Sequence, residues 1–262
     1  MRANFHTHTP RCRHAVGAER EYIERALEGG LEILGFSDHA PFDYGVKGYD
    51  PRVRMWPEQL EEYVSTLSAL KREYAGRITL YTGLEAEYYP RLFPALLKRL
   101  RGLEVEYLIL GQHFLGNEIG EPYCGEPTAD ARTLDRYVGQ SIEGMQTGAF
   151  LYFAHPDLLY FTGSEAVYTR EMRRLCRAAA DCALPLEINL LGLRSGRNYP
   201  DVRFWRIAAE EGNTVLLGSD AHSPRDVWDS ATEDRARAMA AGLGLPLTEL
   251  AGGALRFPVL HR

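Results

Sequence analysis

Seven strand-length apolar runs recur along this chain with helix-like stretches between them, and that alternation constrains the fold more than any other feature. The runs are Ala3–Thr7, Ile33–Ser37, Ile78–Leu84, Val105–Gly111, Phe150–Ala154, Leu184–Leu190 and Thr214–Gly218. Continuous apolar runs joined by helices mark parallel strands buried on both faces, with the helices packed outside. The clearest helix, Glu58–Tyr74, places Leu60, Tyr63, Val64, Leu67 and Leu70 at i, i+3, i+4, i+7 and i+10, the spacing of one buried stripe. Others are read at Glu19–Gly29, with a stop signal at Gly29-Gly30, at Leu134–Met145, around residues 170–182 and at Val202–Glu211. No linker, low-complexity tract or charge block divides the series. The expectation is one domain over residues 1–262, an α/β fold built as a closed or distorted (β/α)7 barrel. An open doubly wound sheet ranks second, because it would not bring all seven strand ends to one mouth.

The ends of those runs carry one kind of chemistry. Seven of the eight histidines lie at them or a few residues beyond, and only His261 falls in the tail. His6-Thr7-His8 sets two imidazoles two residues apart, a spacing that on a strand points both to one face. His14 follows in the next loop. Ser37-Asp38-His39 closes the second run, Glu85 the third, His113 the fourth and His155 the fifth, while Asp220 and His222 follow the seventh. Each position alone has an ordinary explanation: a surface histidine, or an aspartate capping the next helix. Independent histidines would not all choose the same end of successive strands. A carboxylate emerging from an apolar strand is costly unless paired or metal-bound. Nine nitrogen and oxygen ligands are too many for one ion and suit a cluster of three, with imidazole suiting zinc, iron, copper or nickel and carboxylates accepting harder ions and able to bridge.

Composition narrows the class. The chain is 45% apolar and carries a net charge of −6, which supports a large core and argues against bulk attraction to nucleic acid. No apolar run is long enough to span a membrane, and Met1–His6 has no signal-like stretch, so a cytoplasmic enzyme is expected. Cys12, Cys124, Cys176 and Cys182 form no CxxC pair and read as reduced thiols; Cys12, between His8 and His14, is the one that could approach the metals.

In order and type, these residues resemble the polymerase-and-histidinol-phosphatase (PHP) superfamily: an HxH, a histidine soon after, an SDH-like motif, a strand-end glutamate, two single histidines and a final D-x-H. The resemblance covers the whole chain and implies a PHP-type distorted (β/α)7 barrel with a trinuclear site. It implies one metal on His6, His8, Glu85 and Asp220, a second on Glu85, His113 and His155, and a third on His14, His39 and His222. The segment Glu187-Ile188-Asn189, Gly192-Leu193-Arg194 and Tyr199-Pro200 is similar to the histidinol-phosphatase branch.

The chemistry this resemblance implies is that of a phosphomonoesterase using three divalent ions (zinc, iron or manganese) on L-histidinol phosphate, in histidine biosynthesis. Adjacent metals lower the pKa of a bridging water and neutralise phosphoryl charge, so hydroxide would attack phosphorus in line. Catalytic roles are expected for Glu85, Asp220 and Asp38, the last protonating the leaving oxygen or, preferably, orienting a ligand imidazole. Arg194, favoured by the motif, and Arg197 lie in what reads as a glycine-containing loop and suit bidentate grasp of phosphate. Glu87, Tyr88, Tyr89, Phe114 and Tyr123 are expected as walls for the amine and imidazole. The serious alternative is a PHP-type phosphodiesterase, exonuclease or general phosphatase, which shares the metals and differs in its loops. A TatD-like nuclease would lack the counterparts of His14, His39 and His222. An amidohydrolase with a carboxylated lysine needs a strand-end lysine, and Lys47, Lys71 and Lys98 lie elsewhere. A purely structural metal site would be tetrahedral and sulfur-rich, unlike this one.

Overall fold

The computed structural model describes residues 1–250; His261 lies outside them. Six of the runs form strands: β1 (Ala3–Asn4), β2 (Ile33–His39), β3 (Thr79–Ala86), β4 (Tyr107–Leu110), β5 (Leu186–Asn189) and β6 (Val215–Gly218). Every residue of β2, β4, β5 and β6 is buried, which is why these strands read as unbroken apolar runs rather than alternating ones. All pairings are parallel, in the orders β1-β2-β3-β4 and β5-β6.

The fifth run links the two groups without becoming a full strand. Phe153 bridges Leu110 on one side and Leu186 on the other. Leu151 N donates to Leu108 O at 2.7 Å, and Glu187 N to Phe153 O at 2.9 Å. The ring then closes between β6 and β1 at Thr7 and Ala221, where His8 N donates to Ala221 O at 2.9 Å. Deeper along this seam, side chains replace backbone pairing: Ser219 N donates to Asn4 Oδ1 and Ser219 Oγ to His6 O, both at 3.0 Å. Leu247 forms a parallel bridge with Val215 there instead.

The helices are α1 (Glu19–Glu28), α2 (Leu60–Glu73), α3 (Phe93–Leu100), α4 (Ala131–Gln146), α5 (Glu165–Asp181), α6 (Leu190–Ser195), α7 (Val202–Glu210), α8 (Pro224–Val227) and α9 (Ser230–Gly242). The stripe read on α2 is the buried one: Leu60, Tyr63, Val64, Leu67 and Leu70. A large core lies between helices and strands, while a smaller one gathers Ala3, Phe5, Ile33, Tyr107, Ile109 and Leu216 across the ring interior. Tyr107 plugs that interior, donating to Phe5 O (2.9 Å) or Phe36 O (3.0 Å) beneath the strand ends. Gly35 and Gly83 leave it room, since a Cβ at either would come within 2.3 Å of its ring or hydroxyl. The floor is thus rigid, and the strand ends above it converge on one mouth.

Candidate metal centre

Strand register does the first part of the assembly. Parallel pairing sets His39 beside Glu85, and Asn189 beside Gly218, two residues before Asp220. His6 and His8 follow β1, His113 follows β4, and His155 follows the Phe153 bridge, so each leaves the barrel at the same rim. His6, His8, His39, Glu85, His155 and Asp220 are all buried. The backbone is bent to bring two of them in: His155 (φ 33°) and Asp220 (φ 47°) adopt left-handed conformations. Such positions cost about 1–3 kcal/mol each and persist where the surroundings hold them.

Glu85 lies at the centre. Its Oε2 is 3.0 Å from His39 Nδ1 and 3.5 Å from both His6 Nε2 and His8 Nε2. Its Oε1 is 2.8 Å from His155 Nε2 and 3.5 Å from His113 Nε2. Asp220 Oδ1 faces His8 Nε2 at 3.2 Å, His222 Nδ1 at 3.3 Å and His6 Nε2 at 3.4 Å. His14 and His222 meet at their Nε2 atoms, 2.9 Å apart. Donor atoms within 4.8 Å of one another form the sets His6–His8–Glu85, His6–His155–Asp220, His39–Glu85–His113 and His14–His39–His222. All nine sequence candidates therefore meet in one place.

Five of these atoms test whether metal fits. His6 Nε2, His8 Nε2, His39 Nδ1, Glu85 Oε2 and Asp220 Oδ1 are buried and form no hydrogen bond, though they point at one another. Orphaned buried polar atoms are rare and expensive. Borderline cations among these imidazoles and carboxylates would give all five a partner.

The opposite ring nitrogens are already committed. His6 Nδ1 faces Glu187 Oε2 at 2.8 Å, His113 Nδ1 faces Glu87 Oε1 at 3.1 Å, and His14 Nδ1 faces Cys12 O at 2.8 Å. Acceptors of this kind hold a proton on one nitrogen and leave the other free to ligate. Sequence reasoning missed Glu187 as a partner of His6, although its signal is the same as that of Glu85: an acid inside an apolar strand. Asp38 is fully buried behind His8, with Oδ1 3.6 Å from His8 Nδ1 and Thr9 donating to both its oxygens. It sits beside His8 and does not line the cavity, a place that suits support of His8 better than proton donation to a leaving oxygen.

Electrostatics describe a site built around positive charge. Burial alone would suppress charge on His6 and His8. Asp220, Glu187 and Glu85 nevertheless raise His6 well above the usual range, and the neighbouring carboxylates of Asp220, Asp38 and Glu85 take His8 to about 9. Burial would likewise raise Glu85 and Asp220, but the imidazoles around them hold both well below ordinary carboxylates. His14 and His222 go the other way: burial and the neighbouring His8 lower them, His222 to about 3. Cys12 Sγ lies within 4.8 Å of donors on His8 and His222, but in the metal-free chain burial and Asp38 push its thiol far above the usual range.

The centre floors an open cavity of about 970 Å³, walled by Val53, Phe114, Tyr123, Tyr160, Leu191 and Tyr199. Arg197 enters this wall, its Nη1 donating to Tyr199 Oη at 2.8 Å. Arg194 does not. Its segment is helix rather than loop, capped where Asn189 Oδ1 accepts from Gly192 N at 2.9 Å. That turn sends Arg194 toward Asp226 and Asp229, at 3.4 and 3.9 Å, beside a separate cavity. Gly196, left-handed at φ 64°, then reverses the chain and brings Arg197 inward. Phe114 lines the cavity as expected. Glu87 also borders it, but its carboxylate is taken by Arg54 and His113. Tyr89 is fully buried in the core and Tyr88 packs on Phe93, so neither is a wall.

A family model described as PHP domain matches residues 4–190. A probable histidinol-phosphatase of Deinococcus radiodurans is 35% identical over 231 residues, covering 85% of this chain and 86% of that protein. The histidinol-phosphatase of Bacillus subtilis is 27% identical and covers 85% and 94%. Among solved structures, histidinol phosphate phosphatase of Lactococcus lactis, complexed with zinc, L-histidinol and phosphate, superposes with a TM-score of 0.72 at 20% identity, over 94% of this chain and 95% of that one. That likeness carries the barrel fold.

Proposed function

The chain belongs to the PHP domain family, and from that premise we propose that it is a metal-dependent phosphomonoesterase releasing L-histidinol and phosphate from L-histidinol phosphate. The relative at 35% identity, named as a probable histidinol-phosphatase, aligns over 85% of this chain and 86% of its own length, which supports a shared activity. The observation that carries the reading is the group of five orphaned buried donors around Glu85 and Asp220, at the floor of a cavity that Arg197 enters.

Three divalent ions, zinc, iron or manganese, are assigned by the family's order of ligands: His6, His8, Glu85 and Asp220 hold one, Glu85, His113 and His155 a second, and His14, His39 and His222 a third. Ions so held supply a water acidified toward neutral pH and neutralise charge on the phosphoryl oxygens. The chain's own residues do the rest. Arg197 grips the phosphate oxygens, and its stacking on Tyr199, at 5.8 Å, limits its freedom before substrate arrives. Glu187, Asp38, Glu87 and the Cys12 carbonyl fix the imidazoles so that the free nitrogens face inward. Phe114 and Tyr123, with ring centroids 5.9 Å apart, offer apolar area along the cavity wall, and Tyr123 stacks over His113 at 6.4 Å.

Among the described residues no helix is long and apolar enough to cross a membrane. With a net charge of −6 and a cavity sized for a small molecule, a cytoplasmic enzyme of histidine biosynthesis fits better than a nuclease. Because candidates from His6 to His222 share one centre, the chain is read as one catalytic domain. Steady-state hydrolysis of histidinol phosphate against bis-p-nitrophenyl phosphate tests the proposal. Strong preference for the monoester is expected; equal or faster turnover of the diester would replace this reading with a phosphodiesterase.

A further inference from the structure

One arginine behind the metal centre uses every donor it has. Arg54 is fully buried, and its five N–H groups make five hydrogen bonds: Nε and Nη2 to Glu118 Oε2, Nη2 to Glu87 Oε1 (2.9 Å), and Nη1 to Glu87 Oε2 (3.1 Å) and Ala40 O (3.0 Å). Glu87 Oε1 also faces His113 Nδ1 at 3.1 Å, while His113 Nε2 faces Glu85 Oε1 at 3.5 Å. Glu118 Oε1 accepts from Tyr49 Oη at 2.7 Å. The guanidinium therefore stands at the junction of three segments. One is the stretch 40–56, which holds no helix or strand and sends Val53 into the cavity wall. The others are the residue just past β3, Glu87, and the connection after β4 that carries His113, Phe114 and Glu118.

A guanidinium holds a carboxylate in one orientation through two parallel bonds, which a point charge cannot do. Here the held carboxylate is the one that fixes the His113 ring. A long stretch without regular structure inside a compact domain calls for a functional reason, and this one is pinned from within by the same arginine.

We propose that Arg54 is a positioning residue for His113, and that it couples the ordering of the 40–56 rim to the assembly of that metal donor. The inference rests on the metal-centre reading above and adds to it a residue outside the ligand set. Loss of the fork should loosen the His113 ligand and the rim together, leaving the donors around His6 and His8 in place.

Arg54→Lys keeps the charge and removes the fork; Glu87→Gln keeps the shape and weakens the link to His113. Both are stripped with chelator and titrated with zinc against a competing indicator, with circular dichroism to confirm folding. Limited proteolysis within 40–56 is compared with and without zinc. The expected result is one class of zinc sites weakened about 10- to 100-fold in both variants, the range known for groups that support metal ligands, with the other classes unchanged. Zinc should protect the rim of the unmodified protein and fail to protect it in Arg54→Lys. Unchanged affinity in every class, or equal rim protection, would overturn the inference. Should Arg54→Lys not fold, the Glu87→Gln titration decides it. An unmodified protein that binds zinc and protects its rim but leaves histidinol phosphate intact would overturn the substrate reading alone. One with no tight zinc site would overturn both.

Discussion

Glu187 Oε2 lies 2.8 Å from His6 Nδ1, and neither side chain reaches solvent. The carboxylate is further tied to Asn189 Nδ2 at 2.7 Å, which also reaches Asp220 Oδ2 at 3.0 Å. One side chain thus orients a ligand imidazole and, through Asn189, a ligand carboxylate. The pair behaves as a support behind His6, leaving Nε2 to face Glu85 and Asp220.

Glu187→Gln should therefore act on metal before it acts on substrate. An amide cannot accept from both His6 and Asn189 on the same terms, since one of its two ends is a donor. Metal affinity should fall about 10- to 100-fold with the fold retained. Chelator competition measures it, and added metal should restore much of the lost activity. Unaltered affinity would remove Glu187 from the support of the site.

Metal binding should strengthen as pH rises. In the metal-free chain burial alone would lower His8, but Asp220 and Asp38 lift it to about 9, above the free imidazole value of about 6.5. A raised folded value means the proton stabilises the metal-free fold fully below about 6.5, and that contribution is lost as pH rises through about 9. The same proton must leave before Nε2 can ligate. His14 and His222, lowered chiefly by burial, are already neutral in this window and add no slope. Zinc affinity should climb about tenfold per pH unit or more between about pH 6.5 and 8.5, one decade for each proton displaced. A flat profile from competition titrations would contradict the electrostatic picture.

The two arginines of the 194–197 segment should separate kinetically. Arg197→Ala removes a cation from the cavity wall and should lower kcat/KM about 10- to 100-fold, chiefly through KM, the range for a hydrogen bond to a charged group. Arg194→Ala faces Asp226 and Asp229 instead and should leave KM within about twofold, its cost appearing in thermal stability. Steady-state kinetics on histidinol phosphate with both variants decides between them.

That pair also marks where the sequence stopped being legible. Alternation of apolar runs and helices predicted the barrel because parallel strands are buried on both faces, and the ligands could be read because each ends a strand. The fifth stave was harder: Phe150–Ala154 pairs through Phe153 bridges, and its apolar character reflects burial more than regular pairing. Arg194 and Arg197 differ only by a helical turn and a left-handed Gly196, which residue types near Gly192 do not reveal. Arg54 was invisible for a related reason. Its stretch has no periodicity, and its value comes from Glu87 and Glu118, at distances in the chain that no local pattern spans.

Glycines beside the centre give the last prediction. A Cβ on Gly111 would fall 2.0 Å from Glu85 Oε1, and one on Gly218 would fall 2.4 Å from Glu187 Oε2. Neither glycine has a positive φ, so what each provides is space rather than a special conformation. In Gly111→Ala the methyl must displace Glu85, whose carboxylate approaches five histidines, because the β4 backbone is held on both sides by ladder hydrogen bonds. Overpacking of this kind costs about 1–3 kcal/mol, small enough for the barrel to survive. The expected outcome is a folded chain by circular dichroism, with thermal stability reduced and metal content below the unmodified protein after identical reconstitution. Activity should fall with the metal and not recover when more is supplied, in contrast to Glu187→Gln. Full metal loading of Gly111→Ala would show that Glu85 is not held at the centre by this contact.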